Sequence, residues 1–242
     1  MTKNVENTIQ FSEVRTLVTL FVVALCITVF AILASFVLSQ NQLHFDREIL
    51  LLFRESTNLS DPIGAKWVEE LMRDITSLGG VGLLTFFTLT AFFYLQLIKR
   101  SRFAWYVLLA IILGTATSFA LKYGFERPRP DLVPHGSHVY THSFPSGHSL
   151  MSAMVYFTLA GLLSRTMKRK RIKTFFYAVA TIITLSVGIS RVYLGVHWPT
   201  DVLAGWSIGL AWAILALLMS LFLQQKGFFK PFLKLDTHSE VR

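Results

Sequence analysis

The chain has 242 residues, of which 53 % are hydrophobic and only 15 % charged, with a formal net charge of +9 and a mean hydropathy of +0.53. Soluble domains average about 25 % charged residues, so this composition excludes an ordinary soluble fold and fits a membrane protein with several spans. The basic excess does not argue for nucleic acid, because Lys and Arg cluster between apolar runs, and a single cysteine, Cys26, excludes an intrachain disulfide or thiolate zinc site.

Residues 1–16 are polar and are expected to fray. Leu17–Leu38 is an uncharged apolar run. It meets the need for roughly 20 helical residues to cross a hydrocarbon layer about 30 Å thick. The run is longer than the apolar stretch of a cleaved leader and no small-x-small site follows, so it reads as a span.

Residues 39–77 are mixed. Asp61-Pro62 has the form of a helix start, a capping carboxylate before a Pro in the first helical position. Beyond it Trp67, Val68, Leu71, Met72 and Ile75 recur at helical spacing, opposite Lys66, Glu69, Glu70, Arg73 and Asp74. This predicts a short amphipathic helix, in the interface or over the bundle, with no part in the chemistry. Ile49–Phe53 predicts a smaller patch of the same kind. Leu78–Ile98, Phe103–Leu121, Gly147–Leu163, Thr174–Ile189 and Val202–Leu223 are read as spans two to six, and the tail from Gln224 is polar and basic. The expected fold is therefore all-α. It is a six-transmembrane-helix bundle forming one domain over residues 1–242, with a short amphipathic helix between spans one and two.

Positive charge orients such a bundle. Of the 23 Lys and Arg, 15 lie in residues 1–16, 99–102, 165–173 and 224–242, and 8 in the alternate segments. Cytoplasmic loops carry the excess, so both termini and the two basic turns are expected in the cytoplasm. The loops after spans three and five then lie on the outer face.

Those loops hold three stretches. The first runs from Lys122 to Arg129-Pro130, the second is Pro145-Ser146-Gly147-His148, and the third runs from Ser190-Arg191 through His197 to Asp201. Together they offer what is needed to hold and attack a phosphoryl group. Lys122, Arg129 and Arg191 are cations for its oxygens, Arg as a planar fork and Lys as a point charge. Ser146 and Gly147 open a helix, whose free N–H groups and dipole favour an anion, and Gly147 permits close backbone approach. His148 beside them is placed to protonate a leaving oxygen. Pro199 between His197 and Asp201 is a natural first helical residue; if the helix of the last span begins there, Asp201 sits in its first turn and can reach back to the imidazole. A carboxylate on one ring nitrogen fixes the tautomer and leaves the other nitrogen free to attack.

The bland alternatives are a capping Asp beside an interfacial His, a plain capped helix start, and basic side chains that snorkel to the interface. They are weak against three motifs together. For Arg127, which lies off the spacing, snorkelling is the better reading. His135, His138 and His142 in the same loop read as surface histidines rather than a metal site, since no cysteine and few carboxylates accompany them.

The three motifs resemble those of the type 2 phosphatidic acid phosphatase (PAP2) superfamily, whose pattern is Lys-x6-Arg-Pro, Pro-Ser-Gly-His and Ser-Arg-x5-His-x3-Asp. The chain matches each without departure over residues 122–201. The resemblance implies metal-independent hydrolysis of a lipid phosphate or diphosphate, with no cofactor. His197 would be the nucleophile that forms a phosphohistidine, Asp201 its orienting partner, and His148 the general acid. Lys122, Arg129, Ser146, Gly147, His148 and Arg191 would hold the phosphate. Undecaprenyl diphosphate, phosphatidylglycerophosphate and phosphatidate are the leading substrates, with lipid A phosphate a further one. The membrane lipid and the bilayer are the expected partners, in a bacterial plasma membrane, with a eukaryotic endomembrane left open. Oligomeric state is not legible. Two other readings use the same residues: a phosphotransferase, and a transporter or lipid-binding protein. The soluble, vanadate-binding haloperoxidases share the motifs but not a chain made mostly of spans.

Overall fold

The computed structural model describes residues 2–39, 44–137 and 141–230. Eight helices occur among them: α1 (Thr2–Leu38), α2 (His44–Leu52), α3 (Lys66–Ser77), α4 (Val81–Leu97), α5 (Ser101–Gly124), α6 (Gly147–Thr166), α7 (Lys170–Tyr193) and α8 (Pro199–Gln225). No strand occurs among the described residues, only an isolated antiparallel bridge between Arg54 and Pro62.

A helix stands wherever a span was expected, with shifted ends. α1 begins at Thr2, because residues 2–16 contain no Gly or Pro to stop the helix. By length and composition four helices can cross a membrane: Thr16–Leu38, α5, α7 and α8. A fifth span arises if α3 and α4, bent by 46° to each other, are taken together. α4 alone is short, at 17 residues. α6 is not among the four, for a physical reason. It lies inside the bundle, against α4, α5, α7 and α8, so Ser149, Ser152 and Ser164 on it are buried in protein rather than exposed to lipid.

Asp61-Pro62 is not the helix start that its sequence suggests. The chain turns at Gly64 (φ 99°), and α3 begins only at Lys66 with Ala65 before it. Asp61 accepts a hydrogen bond from the Asn58 amide at 2.9 Å, and Pro62 pairs with Arg54. On α3, Val68 and Met72 pack on Tyr193, Leu194 and Val196, while Trp67 and Leu71 face outward.

The main core surrounds α6. Leu150, Met151, Met154 and Val155 pack with Leu84, Leu95, Phe103, Val107 and Ile111. α8 crosses α6 at close range through Gly205 and Gly209, a small-xxx-small pair that lets helix backbones meet. A Cβ on Gly209 would stand 2.4 Å from the Leu150 carbonyl oxygen and 2.9 Å from the Ala153 Cβ. Neither neighbour can yield without moving α6. Gly209→Val is therefore expected to destabilise the bundle by about 1–3 kcal/mol, as overpacking does, and to lower the unfolding temperature in detergent. An unchanged melting curve would contradict this packing.

Candidate active site

The three motifs converge where α5 and α7 end and where α6 and α8 begin. Each charge suits its helix end. Lys122 and Arg191 lie in the last turns of α5 and α7, where the dipole favours cations, and Asp201 lies in the first turn of α8, where it favours an anion. The Ser146 backbone N–H donates to the Asp201 carbonyl at 3.0 Å, which ties the second motif to the third.

His197 is 1 % exposed, in the link between α7 and α8. Its Nδ1 faces Asp201 Oδ2 at 3.4 Å, and its Nε2 lies 3.3 Å from Arg129 Nη1. A guanidinium can only donate, so Nε2 must present its lone pair and the ring proton belongs on Nδ1, toward the carboxylate. Burial, with Arg191, Arg129, Lys122 and His148 nearby, holds this imidazole well below its usual pKa, and hence neutral. A buried, neutral imidazole that turns its lone pair toward cations has the chemistry a nucleophile for an anion needs.

Arg129 is fixed by the Val196 carbonyl at 2.6 Å and the Thr141 carbonyl at 2.8 Å. Lys122 Nζ donates to the His142 carbonyl at 3.1 Å, which Arg129 Nη2 also approaches, at 3.5 Å. A Cβ on Gly147 would stand 3.2 Å from Lys122 Cε, so glycine leaves the lysine its path along the start of α6. Ser146 caps α6, accepting from the Ser149 N–H at 3.5 Å and the Ser149 hydroxyl at 3.0 Å. Arg191 is 2 % exposed. Its Nη1 donates to Thr76 Oγ1 at 2.9 Å, while its buried Nε has no hydrogen-bond partner among the described residues. An orphaned guanidinium donor among other cations suits an incoming anion.

All eight residues singled out from the motifs meet at one end of the bundle, His148 at the start of α6 lying within reach of the charges of Arg191, Lys122 and Arg129. Four more join them that the motifs do not include. Ser143 donates its hydroxyl to Asp201 Oδ2, in a very short contact. Arg127 does not snorkel to the interface: its side chain is 11 % exposed and binds Asp201 Oδ1 at 2.5 Å and Asp46 Oδ2 at 2.6 Å. Asp46, on α2, accepts from the Thr200 N–H at 2.9 Å and from the Thr200 hydroxyl at 2.6 Å. The segment between the first two spans, read from sequence as a bystander, thus reaches the back of the site. The one hint was the doubled Arg-Pro in Arg127-Pro128-Arg129-Pro130.

Among the described residues the loop histidines do not form a cluster. His135 Nε2 bonds the Pro130 carbonyl at 2.8 Å and His142 is exposed, while His138 lies outside the described residues. Among the described residues, no group of three His, Cys, Asp or Glu could hold a metal ion.

Helices long and apolar enough for a bilayer, with a cationic, imidazole-bearing site at their ends, define an integral membrane protein that handles phosphate. Comparison with known proteins makes the class specific. Residues 103–225 match the PAP2 superfamily model. Phosphatidylglycerophosphatase B of Bacillus subtilis is 40 % identical over 152 residues, covering 60 % of this chain and 71 % of that protein. An undecaprenyl-diphosphatase of Sulfolobus acidocaldarius is 32 % identical over 105 residues, 42 % of this chain and 45 % of that one. The crystal structure of a transmembrane PAP2-type phosphatidylglycerolphosphate phosphatase from Bacillus subtilis superposes with a TM-score of 0.68 at 30 % identity, covering 82 % of this chain and 96 % of that one. The chain belongs to the PAP2 superfamily. It is accordingly a membrane phosphatase, a hydrolase of lipid phosphate esters.

Proposed function

We propose that this phosphatase works through a phosphohistidine on His197, without a metal. The observation that carries the reading is the pairing of His197 Nδ1 with Asp201 while Nε2 faces Arg129. In the first step the Nε2 lone pair forms an N–P bond as the P–O bond to the lipid breaks, and His148, which takes up a proton as the bound phosphate offsets the charges of Arg191, Lys122 and Arg129, gives that proton to the departing oxygen. In the second, water attacks phosphorus, His148 takes the water's proton, and the N–P bond breaks to release phosphate. Lys122, Arg129, Arg191, the Ser146 hydroxyl and the Gly147 N–H hold the phosphoryl oxygens and the charge that grows on them.

The whole chain acts as one domain with six spans, α6 being shielded by its neighbours. The basic turns at 99–102 and 165–173 lie at the opposite helix ends from the motifs. The positive-inside rule then puts both termini in the cytoplasm and the site on the outer face of a bacterial plasma membrane. A site at the helix ends lets the substrate keep its tails in hydrocarbon. Drawing them into water would cost about 0.8 kcal/mol per CH₂. Phosphatidylglycerophosphate is the first substrate to try, because a curated relative and a similar solved structure carry that activity in their names. Undecaprenyl diphosphate follows on a more partial match.

The test is phosphate release by the purified protein in detergent with EDTA present. The panel is phosphatidylglycerophosphate, undecaprenyl diphosphate and phosphatidate. Release that survives EDTA and is lost in His197→Ala supports the mechanism, and the order of rates names the substrate. No release from any of the three, or release lost with EDTA, refutes it.

A further inference from the structure

Behind His197 lies a buried chain of charges: Asp46, Arg127 and Asp201. Asp46 is 2 % exposed and Asp201 0 %. One guanidinium joins them. Arg127 Nη1 binds Asp201 Oδ1 at 2.5 Å and Thr200 Oγ1 at 2.8 Å, and Nη2 binds Asp46 Oδ2 at 2.6 Å. The Arg127 Cζ stands 5.7 Å from the Trp198 ring centre, in cation–π range. We propose that Arg127, anchored by Asp46, is a positioning residue for the His197–Asp201 pair. This rests on the reading of His197 as the nucleophile.

Three considerations carry it. The first is charge. Two buried carboxylates cannot stay ionised side by side without a cation between them. Arg127 is the cation in contact with both, and it leaves a net single negative charge behind His197. That is the sign needed to support the imidazole as it becomes positive on forming the N–P bond. The second is geometry. Asp201 Oδ2 accepts from the Trp198 N–H at 2.9 Å and from Ser143, and faces His197 Nδ1. Oδ1 is held by Arg127. Rotation of the carboxylate away from the imidazole would break the bond to Arg127. The third is the anchor. Trp198 precedes α8 and its indole has no acceptor, so it cannot cap the helix. Asp46 takes the Thr200 N–H instead, from a helix far away in sequence. The same carboxylate thus fixes the start of α8 and the guanidinium that steadies Asp201. Arg127 is spent on these partners, so it acts on His197 through Asp201 and not on the phosphate.

The experiment measures kcat and KM on whichever lipid of the panel the wild type hydrolyses fastest, for Arg127→Met, Arg127→Lys, Asp46→Asn, the Asp46→Asn/Arg127→Met double variant and His197→Ala. Asn at position 46 can still accept from the Thr200 N–H but has lost its charge. Arg127→Met is expected to lower kcat by about 100-fold, the cost of misplacing a reacting group, with KM unchanged. Arg127→Lys keeps the charge without the fork and falls between. Guanidinium added to Arg127→Met restores part of kcat, and Asp46→Asn costs less in that background than alone, since it acts through Arg127. Wild-type kcat in Arg127→Met, a loss confined to KM, or a loss that guanidinium does not relieve and that follows a lowered melting temperature overturns the proposal. If any of these occurs while His197→Ala is inactive, only the role of Arg127 falls. If His197→Ala is active, the underlying mechanism falls with it.

Discussion

His197→Ala is expected to abolish phosphate release, by at least about 10⁴-fold, the loss typical of removing a nucleophile. The residue has no substitute nearby. His148 belongs to the same site but opens α6, with no carboxylate bonded to it among the described hydrogen bonds, whereas His197 has Asp201 on Nδ1 and a lone pair on Nε2. Brief exposure to radiolabelled lipid followed by an alkaline quench should leave label on the wild type and none on the variant. Label on the variant would move the nucleophile elsewhere. Acid should reveal a second effect. His197 is held neutral by burial among cations, well below its ordinary value of about 6.5. Below that pH the unfolded chain gains a proton at this position that the folded chain refuses. The stability associated with neutral His197 is complete above about pH 6.5 and is lost as pH falls toward the folded value. Melting temperatures measured from pH 7 to pH 5 should fall less steeply in His197→Ala than in the wild type.

What sequence could reveal here depends on how local the signal was. Lys122, Arg129, Ser146, Gly147, His148, Arg191, His197 and Asp201 lie in short ordered motifs at the ends of apolar runs, and helix ends meeting at one bundle face bring them together. Asp46 had no such mark. It reaches Thr200 across 154 positions, and no periodicity or spacing predicts a contact between a loop helix and the start of the last helix. Arg127 was misread for a related reason. A lone Arg near the interface ordinarily snorkels, and only a buried carboxylate on each side keeps this one inside. The Asp61-Pro62 signal failed because the bridge between Arg54 and Pro62, which folds this loop back on itself, and the turn at Gly64 outweighed a local cap. α6 carries the same lesson for span counting. Hydropathy measures preference for lipid, and a helix enclosed by protein need not satisfy it.

Asp201→Asn is expected to lower kcat by about 10³–10⁴-fold while leaving most of the substrate affinity in place. The carboxylate is surrounded by donors: the Arg127 guanidinium, the Ser143 hydroxyl, the Trp198 N–H and, on the reading above, His197 Nδ1–H. An acceptor-only group suits all of them. An amide does not, because its NH₂ must point either at Arg127 or at Ser143, Trp198 and His197. Facing Arg127, it puts two donors together beside a buried cation. Facing His197, it forces the ring to offer Nδ1 as acceptor, moves the proton to Nε2, and removes the lone pair that attacks phosphorus. Either arrangement also removes the negative charge opposite the forming N-phosphoryl imidazolium. Lys122, Arg129 and Arg191 are untouched, so the phosphate should still bind, and KM should change far less than kcat. The measurement is steady-state kinetics alongside a quenched single turnover. Slow appearance of labelled enzyme places the defect in formation of the N–P bond. A kcat within tenfold of wild type would mean that Asp201 serves only to start α8, and the imidazole would need another source for its orientation.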